Sequence, residues 1–155
     1  MTIALGADHG GYLLKRDLGR ALARAGHRVR DLGTHRPGPC DYPRYAERVA
    51  VAVSRGRAAR GILLCKSGVG MAIAANKVPG VRAAVVSTLA VAKKSREHND
   101  TNVLVLGAVA LTPVRARRIV ETWLATPFAG GRHARRVQQI QQIETRYCHR
   151  RSPSS

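Results

Sequence analysis

Five short apolar runs, separated by stretches with helical periodicity, constrain the fold of this chain more than any other feature. The runs lie at 2–7, 27–32, 61–65, 81–86 and 102–106. The helical stretches lie at 12–25, 45–54, 89–97, 113–125 and 132–146. Apolar strands that alternate with helices are typical of a parallel sheet covered on both faces. The pattern therefore predicts an α/β fold with a five-stranded parallel sheet.

Ligands of such sheets bind beyond the carboxyl ends of the strands, and we expect the unusual polar residues to gather at that edge. The first run ends in Gly6-Ala7-Asp8-His9-Gly10-Gly11. Its glycines allow close backbone approach, while Asp8 supplies an acceptor and His9 a titratable donor. A tight turn with a helix cap would use the same residues, so both interpretations stay open here.

A second motif, Cys65-Lys66-Ser67-Gly68-Val69-Gly70, joins the third run to an apolar segment at 71–75. A strand that enters a glycine loop opening a helix offers free N–H groups to an anion. The loop lacks the spacing of the nucleotide-binding fingerprints. A thiol beside these donors and Lys66 favours the thiolate, so Cys65 is a candidate base or nucleophile. A buried structural cysteine is the alternative.

Two further motifs combine histidine or arginine with small polar residues. In the run 95–102, His98 is followed by Asn99 and Asp100, an arrangement that suits an acid/base with orienting partners. In the segment 130–136, Arg132 and Arg136 lie four apart, so one helical face could present both to a phosphate. The alternative for the run 95–102 is a solvated helix end, and the alternative for the segment 130–136 is a basic solvated face.

The charge of the chain is unusual, with 27 basic and 9 acidic residues giving +18. Such a balance suggests an anionic substrate or nucleic acid. Because aromatic residues make up only 4%, stacking platforms for single strands are few, and we expect no specific nucleic acid partner. Three unpatterned cysteines argue against a disulfide scaffold or zinc site. Without a signal peptide or membrane-length apolar run, we expect a cytoplasmic protein with no membrane partner.

Taken together, five collinear motifs between about residues 2 and 146 resemble the ribose-5-phosphate isomerase B family. They lie at 6–11, 41–43, 65–77, 98–102 and 130–133. The resemblance implies a Rossmann-like three-layer α/β/α sandwich that forms a homodimer or tetramer with active sites shared between subunits. It also implies a cofactor-independent aldose–ketose isomerase that interconverts ribose 5-phosphate and ribulose 5-phosphate through a cis-enediolate, with no metal.

The resemblance also assigns roles to residues of this chain. Cys65 matches the family's proton-abstracting cysteine, His98 matches the histidine that opens the furanose ring, and Ser67 to Gly70 match the loop that stabilises the enediolate. Met71 stands where a second subtype carries a glutamate base, which places this chain in the cysteine subtype. The remaining matches are sugar and phosphate contacts, namely Asp8, His9, Tyr42, Asn99, Arg132 and Arg136.

Two positions depart from the family pattern. Lys66 stands where similar proteins usually carry Gly, and Val109 stands where they usually carry an Arg that helps hold the phosphate. We expect Lys66 to bind the phosphate in place of that arginine; the alternative is that Lys66 only favours the thiolate of Cys65 or points into solvent. Another sugar, such as allose 6-phosphate or an unphosphorylated sugar, is the alternative substrate, and a basic nucleic-acid-binding protein is the alternative of another class. We predict an isomerase domain over 1–147 and a disordered basic tail over 148–155.

Overall fold

The computed structural model describes residues 1–148. The strands are β1 (Thr2–Ala7), β2 (Arg28–Asp31), β3 (Arg60–Cys65), β4 (Ala83–Val85) and β5 (Val103–Gly107). The α-helices are α1 (Tyr12–Arg24), α2 (Tyr42–Ser54), α3 (Val69–Ala75), α4 (Leu89–Asn99), α5 (Pro113–Ala125) and α6 (Arg132–Cys148). A single 3₁₀ turn at Ala108–Ala110 follows β5.

The five strands form one parallel sheet in the order β2-β1-β3-β5-β4. Alternate residues of each strand point to opposite faces, and each face has its own apolar core. Ile62 and Leu64 pack with α1, α4 and α5, whereas Leu63 and Cys65 pack with α2 and α3. These two cores on either side of the sheet confirm the predicted three-layer α/β/α sandwich.

The sheet has a topological switch point between its neighbouring strands β1 and β3. After β1 the chain enters α1 on one face, and after β3 it enters α3 on the other. The two connections therefore diverge and leave a crevice at the carboxyl edge, where ligands of such sheets bind. The register aligns Cys65 with Gly107, so the loop after β5 borders the same crevice.

A buried ion pair fixes the connection that follows β2. Lys15 is 1% exposed, and its Nζ donates to both carboxylate oxygens of Asp31 at 2.7 and 2.6 Å. The same Nζ donates to the carbonyl oxygen of Thr34 at 2.8 Å. Because an ammonium group is costly to bury unpaired, these contacts hold the start of the 32–41 loop against α1.

The predicted elements all form, with differences at their ends. Helix α2 begins at Tyr42 rather than at residue 45, because Asp41 is extended and Pro43 suits the first helical turn. Helix α6 continues through Cys148, and residues 149–155, with most of the predicted basic tail, lie outside the described residues. Within residues 1–148, no helix combines the length and apolar character needed to cross a membrane.

Candidate active site

The thiol of Cys65 lies at the end of β3, at the base of the loop that leads into α3. Its residue is 6% exposed, and the backbone N–H of Gly68 donates to Sγ at 3.1 Å. Gly68 has φ +85°, a left-handed conformation that favours glycine and turns its N–H back towards the sulfur. The local fold thus places the sulfur of Cys65 at the carboxyl edge of the sheet, against a backbone donor of the loop.

Backbone contacts bind this loop to its neighbours on both sides. The N–H of Asp8, after β1, donates to the carbonyl of Leu64 at 3.3 Å, and the N–H of Val109, after β5, donates to the carbonyl of Lys66 at 3.2 Å. Ser67 Oγ accepts from the N–H of Val69 at 3.3 Å. These bonds fix the backbone of the loop on both sides. The side chain of Lys66 is exposed to solvent.

Tyr42 closes one side of the crevice. It is the first residue of α2, and its ring lies against Gly70, where an added methyl group would come within 2.6 to 2.9 Å of two ring carbons and the hydroxyl oxygen. That contact is possible only because Gly70 lacks a side chain. Tyr42 is 40% exposed, so its ring packs on the loop while part of it faces solvent at the crevice.

Asp8 and His9 occupy the turn after β1. Asp8 is buried, and its Oδ1 accepts from the N–H groups of Gly10 at 2.9 Å and Gly11 at 3.1 Å, so Asp8 shapes the turn. His9 is exposed, and its Nδ1 accepts from the N–H of Cys40 at 3.4 Å. A neutral His9 with this contact carries its proton on Nε2, which makes Nε2 a donor. No sequence pattern indicated this role of Cys40.

A second group of candidate residues surrounds the end of α4. The rings of His98 and His133 stack in parallel, with centroids 4.1 Å apart and an interplanar angle of 8°. The N–H of Ala129 donates to the carbonyl of Glu97 at 3.1 Å, which ties the segment before α6 to α4. Helix α6 then presents Arg132 and, one turn later, Arg136, both exposed. The Gly-Gly-Arg-His motif was the only sequence signal for the histidine stack.

The environment of His133 lowers the pKa of its imidazole from the ordinary value of 6.5. Burial is the main cause, and the neighbouring charges of His98, Arg132 and Arg136 act in the same direction against the opposing Glu97. Burial and the neighbouring positive charges both disfavour the protonated form of His133. The ring that lies on His98 is therefore held in the neutral form near neutral pH.

The rest of the polar run 95–102 is structural. Arg96 is 3% exposed and donates from Nη1 to Asp100 Oδ1 at 2.7 Å and to the carbonyl of Thr101 at 2.6 Å. Asp100 also pairs with Arg82 at 2.9 Å, and Thr101 Oγ1 accepts from the indole N–H of Trp123 at 2.9 Å. These bonds secure the turn from α4 into β5.

His98 and Asn99 do not lie beside Cys65, so the expectation that all polar motifs gather at the carboxyl edge is wrong for them. Helix α4 runs back across the sheet and ends near the amino edge. There the carbonyl of Asn102 accepts from the N–H of Gly61, at the start of β3. Four residues of strand, about 13 Å, separate Gly61 from Cys65. Arg132 and Arg136 lie near His98. Within a single chain, the candidate residues therefore form two separate groups, one at each edge of the sheet.

The carboxyl-edge group comprises Asp8, His9, Tyr42, Cys65, Lys66, Ser67, Gly68, Val69 and Gly70. The amino-edge group comprises His98, Asn99, Arg132 and Arg136. In the part of the chain that the structure describes, no group of three or more His, Cys, Asp or Glu side chains is placed to hold a metal ion. The two groups together contain a candidate base, backbone donors, an imidazole and a pair of guanidinium groups.

Comparison with known proteins places this arrangement among sugar isomerases. A family model described as Ribose/Galactose Isomerase matches residues 3–140. Ribose-5-phosphate isomerase B of Escherichia coli (strain K12) is 46% identical over 144 residues, which cover 93% of this chain and 97% of that protein. D-erythrulose-4-phosphate isomerase of Pectobacterium atrosepticum is 37% identical over 150 residues, covering 96% of this chain and 99% of that protein.

Solved structures agree with the sequence comparison. Ribose-5-phosphate isomerase B of Clostridium thermocellum superposes with a TM-score of 0.94 at 50% identity, covering 95% of this chain and 99% of that one. The Mycoplasma genitalium ribose-5-phosphate isomerase B with bound ribulose-5-phosphate superposes with a TM-score of 0.90 at 38% identity. That match covers 93% of this chain and 96% of the Mycoplasma chain.

Proposed function

Because this chain belongs to the ribose/galactose isomerase family and is an isomerase, we propose that it interconverts ribose 5-phosphate and ribulose 5-phosphate. The observation that carries the proposal is the Cys65 thiol at the end of β3, which receives the N–H of Gly68 at 3.1 Å. A base of this kind, set beside a loop rich in free N–H groups, suits proton transfer next to a carbonyl. The names of the E. coli and C. thermocellum relatives support the choice of substrate.

An aldose and its ketose differ by the position of one hydrogen on adjacent carbons. In the proposed mechanism the Cys65 thiolate takes the proton from C2, and the electron pair forms a C1–C2 double bond as negative charge develops on O1. The resulting cis-enediolate is stabilised by N–H groups of the loop from Ser67 to Gly70. The thiol then returns the proton to C1, the proton on O2 passes to O1, and C2 becomes the carbonyl carbon.

We propose that two copies of the chain complete each site. His98 and Arg132 lie at the amino edge of the sheet, and the length of β3 separates them from Cys65 of the same chain. A five-carbon sugar phosphate is too short to contact both groups across that distance. A two-fold arrangement that places the amino edge of one copy against the carboxyl edge of the other would supply both sites at once.

Within such a pair, we propose that His98 opens the furanose ring by taking the proton of the O1 hydroxyl and passing it to the ring oxygen as the bond between C1 and that oxygen breaks. Its ring is held in place by the parallel contact with His133, 4.1 Å away. Arg132 and Arg136, one turn apart on α6, offer two planar groups to the phosphate. Asn99, Asp8, His9 and Tyr42 complete the proposed contacts with the sugar and phosphate.

Lys66 is proposed to bind the phosphate where the family pattern has an arginine and this chain has Val109. The two positions are neighbours, because the N–H of Val109 donates to the carbonyl of Lys66 at 3.2 Å. Val109 is 77% exposed and uncharged, and the exposed Lys66 beside it carries an ammonium group that could replace the missing guanidinium. An ammonium group acts as a point charge and cannot reproduce the paired hydrogen bonds of a guanidinium.

The second candidate function is the same isomerisation reaction on a different sugar phosphate. It is favoured by the 37% identity to D-erythrulose-4-phosphate isomerase and by a family model whose description includes galactose. All these substrates share the proton transfer between adjacent carbons, so the roles of Cys65 and its loop would not change.

The test is a coupled assay on ribose 5-phosphate, allose 6-phosphate and erythrulose 4-phosphate, with wild type and Cys65→Ala. We expect turnover of ribose 5-phosphate by wild type, and loss of turnover with retained substrate binding in Cys65→Ala. Wild-type turnover in the variant would rule out Cys65 as the base. Turnover by wild type of one of the other two sugars alone would replace the proposed substrate with that sugar.

A further inference from the structure

A basic cavity of about 410 Å³ lies between the edge strand β2 and helix α2, away from Cys65. Four arginines line it, and Glu47 is the only acidic residue in its lining. Its apolar floor is formed by Leu32, Val51 and Ala52. The four arginines are Arg30, Arg44, Arg48 and Arg57.

In the described part of the chain, the four arginines of this cavity outnumber its single carboxylate, Glu47, and form no ion pair with it. Within residues 1–148, none of the four takes part in an ion pair, although other cations of the chain, such as Lys15, Arg96 and Arg117, do. Like charges that converge on one cavity repel one another, and an anion that binds between them relieves that repulsion.

Neighbouring contacts hold two of these guanidinium groups, those of Arg30 and Arg48, in place. Arg44 and Arg48 lie one turn apart and project from the same face of α2. The guanidinium of Arg48 lies over the ring of Tyr45, 5.5 Å from its centroid. Arg30 donates from Nη1 to the carbonyl of Arg57 at 3.4 Å, which joins β2 to the segment after α2. Arg30 and Arg48 are thus positioned by contacts that leave donor N–H groups free for a ligand.

We propose that this cavity is a second anion-binding site, which takes a small molecule carrying a chain of phosphate groups. Four guanidinium groups from three segments match several phosphates better than one, because each planar group can donate two hydrogen bonds to a phosphate. The floor of Leu32, Val51 and Ala52 adds an apolar contact for any organic group attached to the chain. This site is independent of the proposed isomerisation, since none of its lining residues belongs to either group of candidate catalytic residues.

The test is calorimetric titration of inorganic tripolyphosphate into the full-length protein at about 0.15 M salt. The titrations use an Arg132→Ala/Arg136→Ala background, so that the proposed substrate phosphate site does not contribute. We expect one saturable site. Adding Arg44→Ala/Arg48→Ala should weaken it roughly tenfold or more, because two charged hydrogen-bond donors are lost. Arg57→Ala, outside the helix, should act in the same direction.

The matched control is Arg115→Ala/Arg118→Ala, which removes two exposed arginines from α5. It lowers the net charge by the same amount and, according to the proposal, leaves the affinity unchanged. Equal weakening by the two double substitutions would show that overall charge alone attracts the anion, which would overturn the proposal. Absence of saturable binding in the background protein would also overturn it. ATP serves as a second probe. Tighter binding of ATP than of tripolyphosphate would show that the apolar floor contacts an organic group attached to the phosphates. Equal binding would show that the site recognises the phosphate chain alone.

Discussion

The contact between Gly70 and Tyr42 gives a test of how the crevice is shaped. A methyl group at position 70 would lie 2.6, 2.7 and 2.9 Å from Cζ, Cε2 and Oη of Tyr42. Comfortable contacts between carbon atoms are about 3.5 to 4.0 Å, so Gly70→Ala requires the ring to move by roughly 1 Å. Tyr42 is 40% exposed and begins its helix, so the ring can swing towards solvent without disturbing the core.

We therefore expect Gly70→Ala to lower activity while leaving stability nearly unchanged. Alanine within a helix stabilises it by about 0.5–1 kcal/mol relative to glycine, which offsets much of the strain. A displacement of about 1 Å in a group that positions substrate can cost up to about 100-fold in rate. We predict a fall in kcat/KM of roughly ten- to a hundredfold and a change in the free energy of unfolding below about 1 kcal/mol.

The assay is steady-state isomerisation of ribose 5-phosphate together with urea unfolding. The matched control is Gly19→Ala in α1, where the added methyl would lie 3.4 Å from Leu5, an ordinary contact. It should gain about 0.5–1 kcal/mol with unchanged kinetics. In a Tyr42→Ala background, Gly70→Ala should cost little, since no ring remains to be displaced. An equal loss of activity with and without the ring would refute the reasoning.

Three further predictions concern the remaining candidates. His98→Asn should slow turnover of ribose 5-phosphate more than that of a four-carbon aldose phosphate, which cannot close a furanose ring; equal losses would contradict ring opening by His98. Val109→Arg should lower KM most when Lys66 is replaced by Gly, and simply additive effects in that double-mutant cycle would exclude Lys66 as the substitute phosphate ligand. Because the pKa of His133 is lowered from 6.5, the unfolded chain binds more protons below that pH. The free energy of unfolding, measured by urea titration from pH 8 to 5, should fall as the pH drops through about 6.5. The fall should be smaller in His133→Asn, and identical pH dependence in the two proteins would count against this.

Local patterns in the sequence were enough to predict the elements. The apolar run 2–7 and the helix Pro113–Ala125 match β1 and α5 to the residue. The stretch 12–25 matches α1 to within one residue, and Gly26 follows it with φ +83°, a left-handed conformation that favours glycine. These features depend on neighbours within a few residues, which a single sequence displays directly.

Long-range arrangement could not be predicted in the same way. Periodicity does not fix the strand order β2-β1-β3-β5-β4, because strand pairing joins residues far apart in the sequence. For the same reason, the residues gave no sign that His98 lies at the opposite edge from Cys65. The contacts of His133 with His98 and of Cys40 with His9 likewise join distant segments.

Mixing two impaired variants tests most directly the proposal that Cys65 and His98 of different copies form one site. Cys65→Ala and His98→Asn are unfolded together, refolded at equal concentration and assayed on ribose 5-phosphate, with two affinity tags to verify that mixed pairs form. Half of randomly formed pairs are mixed, and each mixed pair has one intact site. We predict recovery of about a quarter of wild-type activity from parents that are each nearly inactive. Mixed pairs that form but show no more activity than the two parents would contradict the shared site.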